Sequence, residues 1–355
     1  MTKTEDRLRA ALDAAAHTVE PDALAPLTAP GRSRRTAAWA VPVAAAATLL
    51  LVIAGAAALG GGMDGRDPGR ALAGDGPRYL LTLRGGGTAV VRDPDGRELG
   101  RVRPARGEYV AVAAAKRDTF ILAARTGDCG VRLYRTSIGA GGAPSRPEPL
   151  PGGTLPVSPD DVRLAVAPDG VRVAVSGTCE TTYRVAVVDA GTGGRREWTG
   201  STTAHVGYVP AWSPDGRSLA VLYWDVRREL TDAPLLMLDT DGPGGRDLSE
   251  ARVLRELGFA PKGTRIESVA FAADGRTLYA LLYGDGPGAV VPISSATGDP
   301  VGRPIELPSG SALAIKPDAS RRHFLLIGDG WLGRIDDRGR FTRISEGTEY
   351  FDAAW

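Results

Sequence analysis

Lysine is almost missing from these 355 residues: Lys3, Lys116, Lys262 and Lys316 are the only four, so 39 of the 43 basic side chains are arginine. With abundant Ala and Gly, that bias reads as the codon usage of a GC-rich genome rather than as chemistry. Net charge is also scarce, at +1 from 43 basic and 42 acidic residues. Near-neutrality argues against a nucleic-acid partner held by phosphate neutralisation. Only two cysteines and three histidines occur, which excludes a zinc finger or a disulfide-built scaffold. No His-x-His, His-x3-His or Cys-x-x-Cys is present, so no transition-metal site is expected. Gly-x-Ser-x-Gly is absent, and with it the nucleophile elbow of an α/β-hydrolase. Gly85-Gly-Gly87 lacks the following helix that a phosphate loop needs. No catalytic residue and no cofactor is expected from these patterns. The Gly and Pro content, 47 and 26 residues, is turn-rich but below the range of disordered chains.

Charge itself disappears over one stretch. From Ala37 to Met63 there is no charged residue, and the centre, Thr48 to Ile53, is strongly apolar. About 20 apolar residues span a ~30 Å hydrocarbon core as one helix. Arg32, Arg34 and Arg35 precede it, and Asp64 follows. The positive-inside rule then keeps the N-terminus in the cytoplasm. Residues 1–36 are too long a lead, and the apolar stretch too long a core, for an ordinary signal peptide. A cleaved signal and a buried helix are the alternatives. The expected organisation is a cytoplasmic tail at 1–36, a transmembrane helix at 37–62, a linker at 63–77 and an extracytoplasmic domain at 78–355. Within the tail, Thr2 and Glu5 fit a capping box, Leu8, Leu12, Ala15 and Val19 follow at helical spacing, and Pro21 ends the pattern. Such a helix is either a solvated tail or a partner-docking element. The opening resembles membrane-tethered regulators of extracytoplasmic-function sigma factors, although the zinc-type anti-sigma signature is absent.

Beyond residue 75 the dominant signal is repetition. Arg163-Leu-Ala-Val-Ala-Pro-Asp-Gly170, Val209-Pro-Ala-Trp-Ser-Pro-Asp-Gly216, Val269-Ala-Phe-Ala-Ala-Asp-Gly275 and Leu313-Ala-Ile-Lys-Pro-Asp318 each read as a short apolar strand entering a tight turn. Pro presets the first corner, Asp bonds nearby backbone and Gly takes the left-handed position. The spacings of 46, 59 and 44 residues suit propeller blades of four antiparallel strands. A degenerate copy lies at Tyr109 to Leu122. The segment Tyr208 to Val221 resembles the WD40-like repeat of TolB-type β-propellers, in the membrane-anchored form found in GC-rich actinobacteria. That resemblance covers residues 78 to 355 and implies a fold and a binding surface but no particular activity.

Six blades are expected. Five innermost strands begin near Val110, Val162, Val209, Ser268 and Ser311. A sixth, Glu349 to Trp355, has no strands after it, and its three partners stand at the domain's start as Arg78–Leu83, Thr88–Gly96 and Arg97–Leu99. One C-terminal strand joining three N-terminal ones closes the ring. Insertions in blade 3, near Arg227–Ala233 and Asp241–Glu250, leave five or seven blades as alternatives.

Candidate site residues are few. The insertion Trp224-Asp-Val-Arg-Arg-Glu229 is the longest charged-aromatic stretch between strands, so Trp224, Asp225, Arg227 and Arg228, with Trp331, form a possible binding-face loop; a solvated loop is the plainer reading. Trp198 is a further tryptophan near a strand end, Trp212 and Trp355 are expected in the core, and Trp39 at the membrane interface. Asp239, Asp241 and Asp247 have part of a calcium-loop look, but a turn is the expectation. Cys129 and Cys179 each follow a Gly by two residues, just past the second strand of consecutive blades. On an oxidising side of a membrane they are expected to pair; two separate thiols are the alternative. Three functions follow: a non-enzymatic module binding a protein or cell-envelope ligand, a transmembrane regulator signalling through residues 1–20, and an extracytoplasmic hydrolase or lyase. A carboxylate-lined central funnel would favour the last, and a plugged one would oppose it.

Overall fold

A computed structural model describes residues 77–355, apart from residues 86, 117, 202–203, 206–209, 223, 226–233, 243–245, 257–263, 285–287, 308–311 and 347–349. The expected tail, membrane helix and most of the linker lie outside the described residues, as do Arg227 and Arg228. Among the described residues no helix is long and apolar enough to cross a membrane.

Six antiparallel sheets form the blades of a propeller. The innermost strands are Tyr109–Lys116, Arg163–Val166, Ala211–Trp212, Thr264–Phe271, Ala312–Pro317 and Asp352–Ala354, in blades 1 to 6. Blade 6 is closed as expected: Asp352–Ala354 pairs with Leu80–Leu83, which pairs with Ala89–Arg92 and then Glu98–Val102. The closing strand has three pairs only, Leu81 opposite Ala354, Thr82 opposite Ala353 and Leu83 opposite Asp352.

Side chains alternate across each strand, so a blade buries both faces and its strands read as continuous apolar runs. In the strand Thr119–Gly127, Phe120 and Leu122 point to the junction of blades 6 and 1, while Ile121 and Ala123 point to that of blades 1 and 2. Among the described residues there are six apolar clusters, one per junction, and the last of them seats Tyr350, Ala353 and Trp355 of blade 6 against Ala314, Leu325 and Ile327 of blade 5.

The repeated turns behave as their chemistry predicts. Gly170, Gly216 and Gly275 have φ of 73°, 69° and 67°, the left-handed region that favours glycine. Asp169 and Asp274 each accept two backbone N–H groups of their turns. The fourth copy departs from its expected alignment by two residues. Asp318 N–H bonds His323 O, and Arg321 N–H bonds Asp318 O, as Ala167 bonds Arg172 and Gly170 bonds Ala167 in blade 2. Asp318 therefore stands where blades 2, 3 and 4 have Ala167, Ser213 and Ala272, and Arg321 takes the glycine position with φ of 56°. The Asp318 carboxylate holds this corner, accepting from Ser320 Oγ, Arg322 N and His323 N.

A short strand precedes the first insertion of blade 3, and another lies within the second. Trp224–Asp225 pairs with Ala204–His205. Arg246–Asp247 runs parallel to Trp198–Thr199 and covers the outer edge of blade 2, an edge that would otherwise offer unpaired backbone groups.

Candidate functional site: the propeller axis and the B–C face

Closing six sheets into a ring leaves one set of edges open, because each innermost strand (A of A–D) turns a row of unpaired N–H and C=O groups toward the axis. Side chains satisfy several of them. Val112 of blade 1 donates its N–H to Asp352 Oδ2 at 2.8 Å, and its carbonyl accepts from Lys316 Nζ at 2.7 Å. Lys316 Nζ also donates to Asp352 Oδ1 at 2.5 Å. Three blades, 5, 6 and 1, thus meet in one polar knot whose two charged side chains are 7% and 8% exposed. Burial, the larger effect, lowers the Lys316 pKa, and the Asp352 carboxylate opposes that shift. On the other side of the axis Arg321 donates to Trp212 O at 2.6 Å, reaching from blade 5 to blade 3. Burial brings its pKa down to about 10, and nearby Asp318 resists this, so the guanidinium is charged at neutral pH. Trp212 in turn donates Nε1 to Ala165 O of blade 2 at 3.2 Å and lies under the Arg172 guanidinium at 5.2 Å.

What remains open on the axis is a cavity of about 50 Å³, which every blade lines: Ala113, Ala165, Ala211, Val269, Lys316 and Ala354. Small-molecule sites typically measure ~300–1,000 Å³, so this space suits a few waters and not a sugar or a peptide. Its charged side chains are already engaged with the strand edges. The other carboxylate within the described innermost strands is Glu267, where a bulge between Ile266 and Ser268 turns it out of the ladder. Burial raises its pKa, and the bonded Arg265 lowers it less. Among the described residues that line this cavity there is no Asp or Glu.

The faces of the ring differ. A–B and C–D turns form one of them, and the chain enters there: Arg78 pairs with Asp118 at 3.6 Å and Tyr79 OH donates to Gly139 O. B–C turns and the links between blades form the other, where the structure joins Cys129 to Cys179 in a disulfide with Cα atoms 5.6 Å apart. The bridge ties the B–C turn of blade 1 to the end of the second strand of blade 2. Beside it, Arg125 pairs with Asp160 at 2.6 Å, and Asp161 accepts the N–H and hydroxyl of Thr178. Burial raises the Asp161 pKa, and the Thr178 bonds oppose it. An open hollow of about 390 Å³ adjoins the disulfide, walled by Thr126, Cys129, Thr154 and Leu155.

The binding-face candidates are not all brought together. Trp224 and Asp225 lie in the short strand that follows strand B of blade 3, on the B–C side. Trp331 is a correction. It opens the third strand of blade 5, is 3% exposed and packs edge-on against Phe341 and beside Gly328, so it presents no ring to a ligand. Trp198, expected near a strand end, is likewise buried, beneath the blade 2–3 cluster. Trp331 is covered by Phe341 and Gly328 of its own blade and by the blade 4–5 cluster, and Trp198 by the blade 2–3 cluster. Trp212 and Trp355 are in the core as expected. Asp239 forms a turn, its Oδ1 accepting from Asp241 and Gly242 N–H, and among the described residues no three His, Cys, Asp or Glu side chains converge as metal ligands. The Lys316–Asp352 pair and Arg321 were missed by sequence reading; the one available signal was Lys316 standing where the other repeats have Ala165, Ala211 and Ala270.

Neither a protein-family model nor a curated protein matches the chain. Among solved structures it is similar to TolB from Acinetobacter baumannii, at 15% identity and TM-score 0.54, over 81% of this chain and 69% of that one. A candidate TolB from Agrobacterium tumefaciens gives 16% identity and TM-score 0.50, over 77% of this chain and 92% of that one. These likenesses show a TolB-like six-bladed propeller fold.

Proposed function

We propose that this chain is a membrane-anchored, extracytoplasmic propeller that binds a protein or cell-envelope ligand through its B–C face and performs no catalysis. The observation that carries the reading is the axis: among the described residues its cavity measures about 50 Å³, and the Lys316 and Arg321 side chains that line it are already bonded to neighbouring strands. The Cys129–Cys179 bridge supports a location outside the cytoplasm, because disulfides persist in oxidising compartments. The uncharged stretch from Ala37 to Met63 supports the anchor. The B–C face carries the disulfide, the hollow beside it and the short strand Trp224–Asp225, and these features single it out as the binding face.

The test is capture from native membranes with detergent-solubilised full-length protein, compared with the double variant Arg227→Glu/Arg228→Glu. A partner retained by the wild type and lost by the variant supports the B–C face. No partner for either protein, together with turnover of an envelope glycan or peptide, would replace the binding reading with the hydrolase reading.

A further inference from the structure

The knot on the axis raises the question of what a buried ion pair does in a ring already closed by apolar packing. The ladder of Asp352–Ala354 joins the two ends of the domain with three pairs, and its sequence is Asp-Ala-Ala. Two neighbouring alanines carry little register information, since either fits where the other sits. Trp355 and Tyr350 flank the strand and are buried. Trp355 holds by apolar contact alone, with no hydrogen bond at Nε1 among the described residues, and such contact tolerates sliding. Asp352 differs. Its two oxygens take a directional bond from Val112 N–H of blade 1 and from Lys316 Nζ of blade 5, while Lys316 also holds the Val112 carbonyl.

We propose that Lys316 and Asp352 form a register latch, which fixes the closing strand of blade 6 in one alignment against Leu80–Leu83. A slip of two residues keeps every side chain on its own face but moves Asp352 by ~7 Å along the axis. Both bonds to Asp352 are then lost, which leaves the Val112 N–H unpaired and parts the two buried charges, while Lys316 keeps only the Val112 carbonyl. Buried ion pairs commonly add little net stability over apolar replacements, and specifying register is their best-attested use. Lys316 is the only residue of the six axis-lining positions named above that carries charge, and it stands one blade from the seam that the two ends of the domain must find.

The test uses the full-length chain with its native disulfide intact and one added cysteine pair at a time. Leu81→Cys with Ala354→Cys reports the native register, because these residues are directly opposed. Leu83→Cys with Ala354→Cys reports the register slipped by two. Cross-links are read by peptide mass after mild oxidation, in the parent background and in Lys316→Met/Asp352→Leu. The slipped cross-link is expected to rise about tenfold in the latch-free background, equivalent to about 1.4 kcal/mol of lost register preference, while the protein unfolds cooperatively near the parent midpoint. An unchanged ratio of slipped to native cross-link overturns the latch. Should the double variant fail to fold, Asp352→Asn keeps the Val112 bond and weakens the one to Lys316. There an intermediate rise in the slipped product supports the proposal, and no rise overturns it.

Discussion

Blades 2 and 5 hang on the same kind of ladder but do opposite things at the axis. Blade 2 presents Ala165 to the cavity and turns through Pro168-Asp169-Gly170, the pattern shared with blade 3. Blade 5 presents Lys316, turns through Asp318-Ala-Ser-Arg321, and sends one cation to blades 6 and 1 and the other to blade 3. The comparison separates two tasks. Repetition builds blades, because strand pairing and turn chemistry are local and any copy can satisfy them. Departure from the repeat makes a ring, because the inner edges of different blades have unlike needs that no identical residue meets.

Converting blade 5 to the blade 2 pattern at the cavity should therefore have the largest effect. Lys316→Ala leaves the Asp352 carboxylate buried with its strongest partner gone, and breaking such a pair typically costs about 3–5 kcal/mol. Denaturant unfolding of the purified chain measures it, and a loss below about 1 kcal/mol would mean that the carboxylate is reached by water and the knot is not dry. A similar but covalent tie joins blades 1 and 2 at the rim. Cys129→Ser/Cys179→Ser removes a bridge that encloses 50 residues, worth about 4 kcal/mol in the chain-entropy model and often less in practice. The same unfolding experiment with and without reductant checks it: the wild type should fall to the level of the double serine variant when reduced, and the variant should not respond.

Smaller effects come from exchanging the two turns. Gly170→Ala places a side chain at φ of 73°, with its Cβ 2.7 Å from Lys116 Cε and 3.1 Å from the Ala115 carbonyl; the lysine end can move but the carbonyl cannot, so a loss of at least about 1 kcal/mol is expected. Arg321→Gly has mixed consequences. It relieves a left-handed arginine, worth about 0.4–1 kcal/mol, and deprives the Trp212 carbonyl of a charged donor, worth about 1.5–3 kcal/mol. A net loss of about 1 kcal/mol is expected in thermal unfolding. A gain in stability would show that the bond across the axis contributes nothing.

The same contrast governs what was legible in the sequence. The Pro-Asp-Gly copies were readable because each turn is stabilised by residues within five positions of one another, as Asp169 is by Val171 and Arg172 N–H. Closure by Glu349–Trp355 was readable because an innermost strand without successors and three strands without a leader must find each other. The cysteines were readable because they occupy matching places in adjacent blades. The axis was not. Lys316 meets Val112 across 204 residues, and nothing local marks that contact. The two-residue shift of the fourth turn was hidden because Pro317-Asp318 imitates the motif, while the hydrogen bonds put Asp318 at the corner and Arg321 in the glycine place. Trp331 and Trp198 were misplaced for a related reason: their burial comes from neighbouring strands and blades, Phe341 and Gly328 for Trp331 and the blade 2–3 cluster for Trp198, so a tryptophan at a strand end looks free until those neighbours are added.

The smallest effect sharpens the comparison at a position where blades 4 and 5 match in backbone and differ in chemistry. Each innermost strand has a bulge near its start, at Glu267 in blade 4 and Leu313 in blade 5. Leu313 is 43% exposed, whereas the Glu267 side chain is 13% exposed and bonded to Arg265. Burial raises the Glu267 pKa above the ordinary 4.5 despite that bond. In the window from pH 4.5 up to the raised value, the folded chain keeps a proton that the unfolded chain has lost. Stability from this group is therefore fully present below pH 4.5 and is lost as pH rises through the folded value. Glu267→Gln removes the titration while keeping an acceptor for Arg265. The difference in unfolding free energy, wild type minus variant, should fall as pH is raised from about 4 to 7 and then level off. A flat difference would mean that Arg265 fully offsets the burial. Leu313→Gln, at the matching and more exposed bulge, has no proton to lose and should give a pH-independent shift, which makes it the control that isolates the carboxyl group of Glu267.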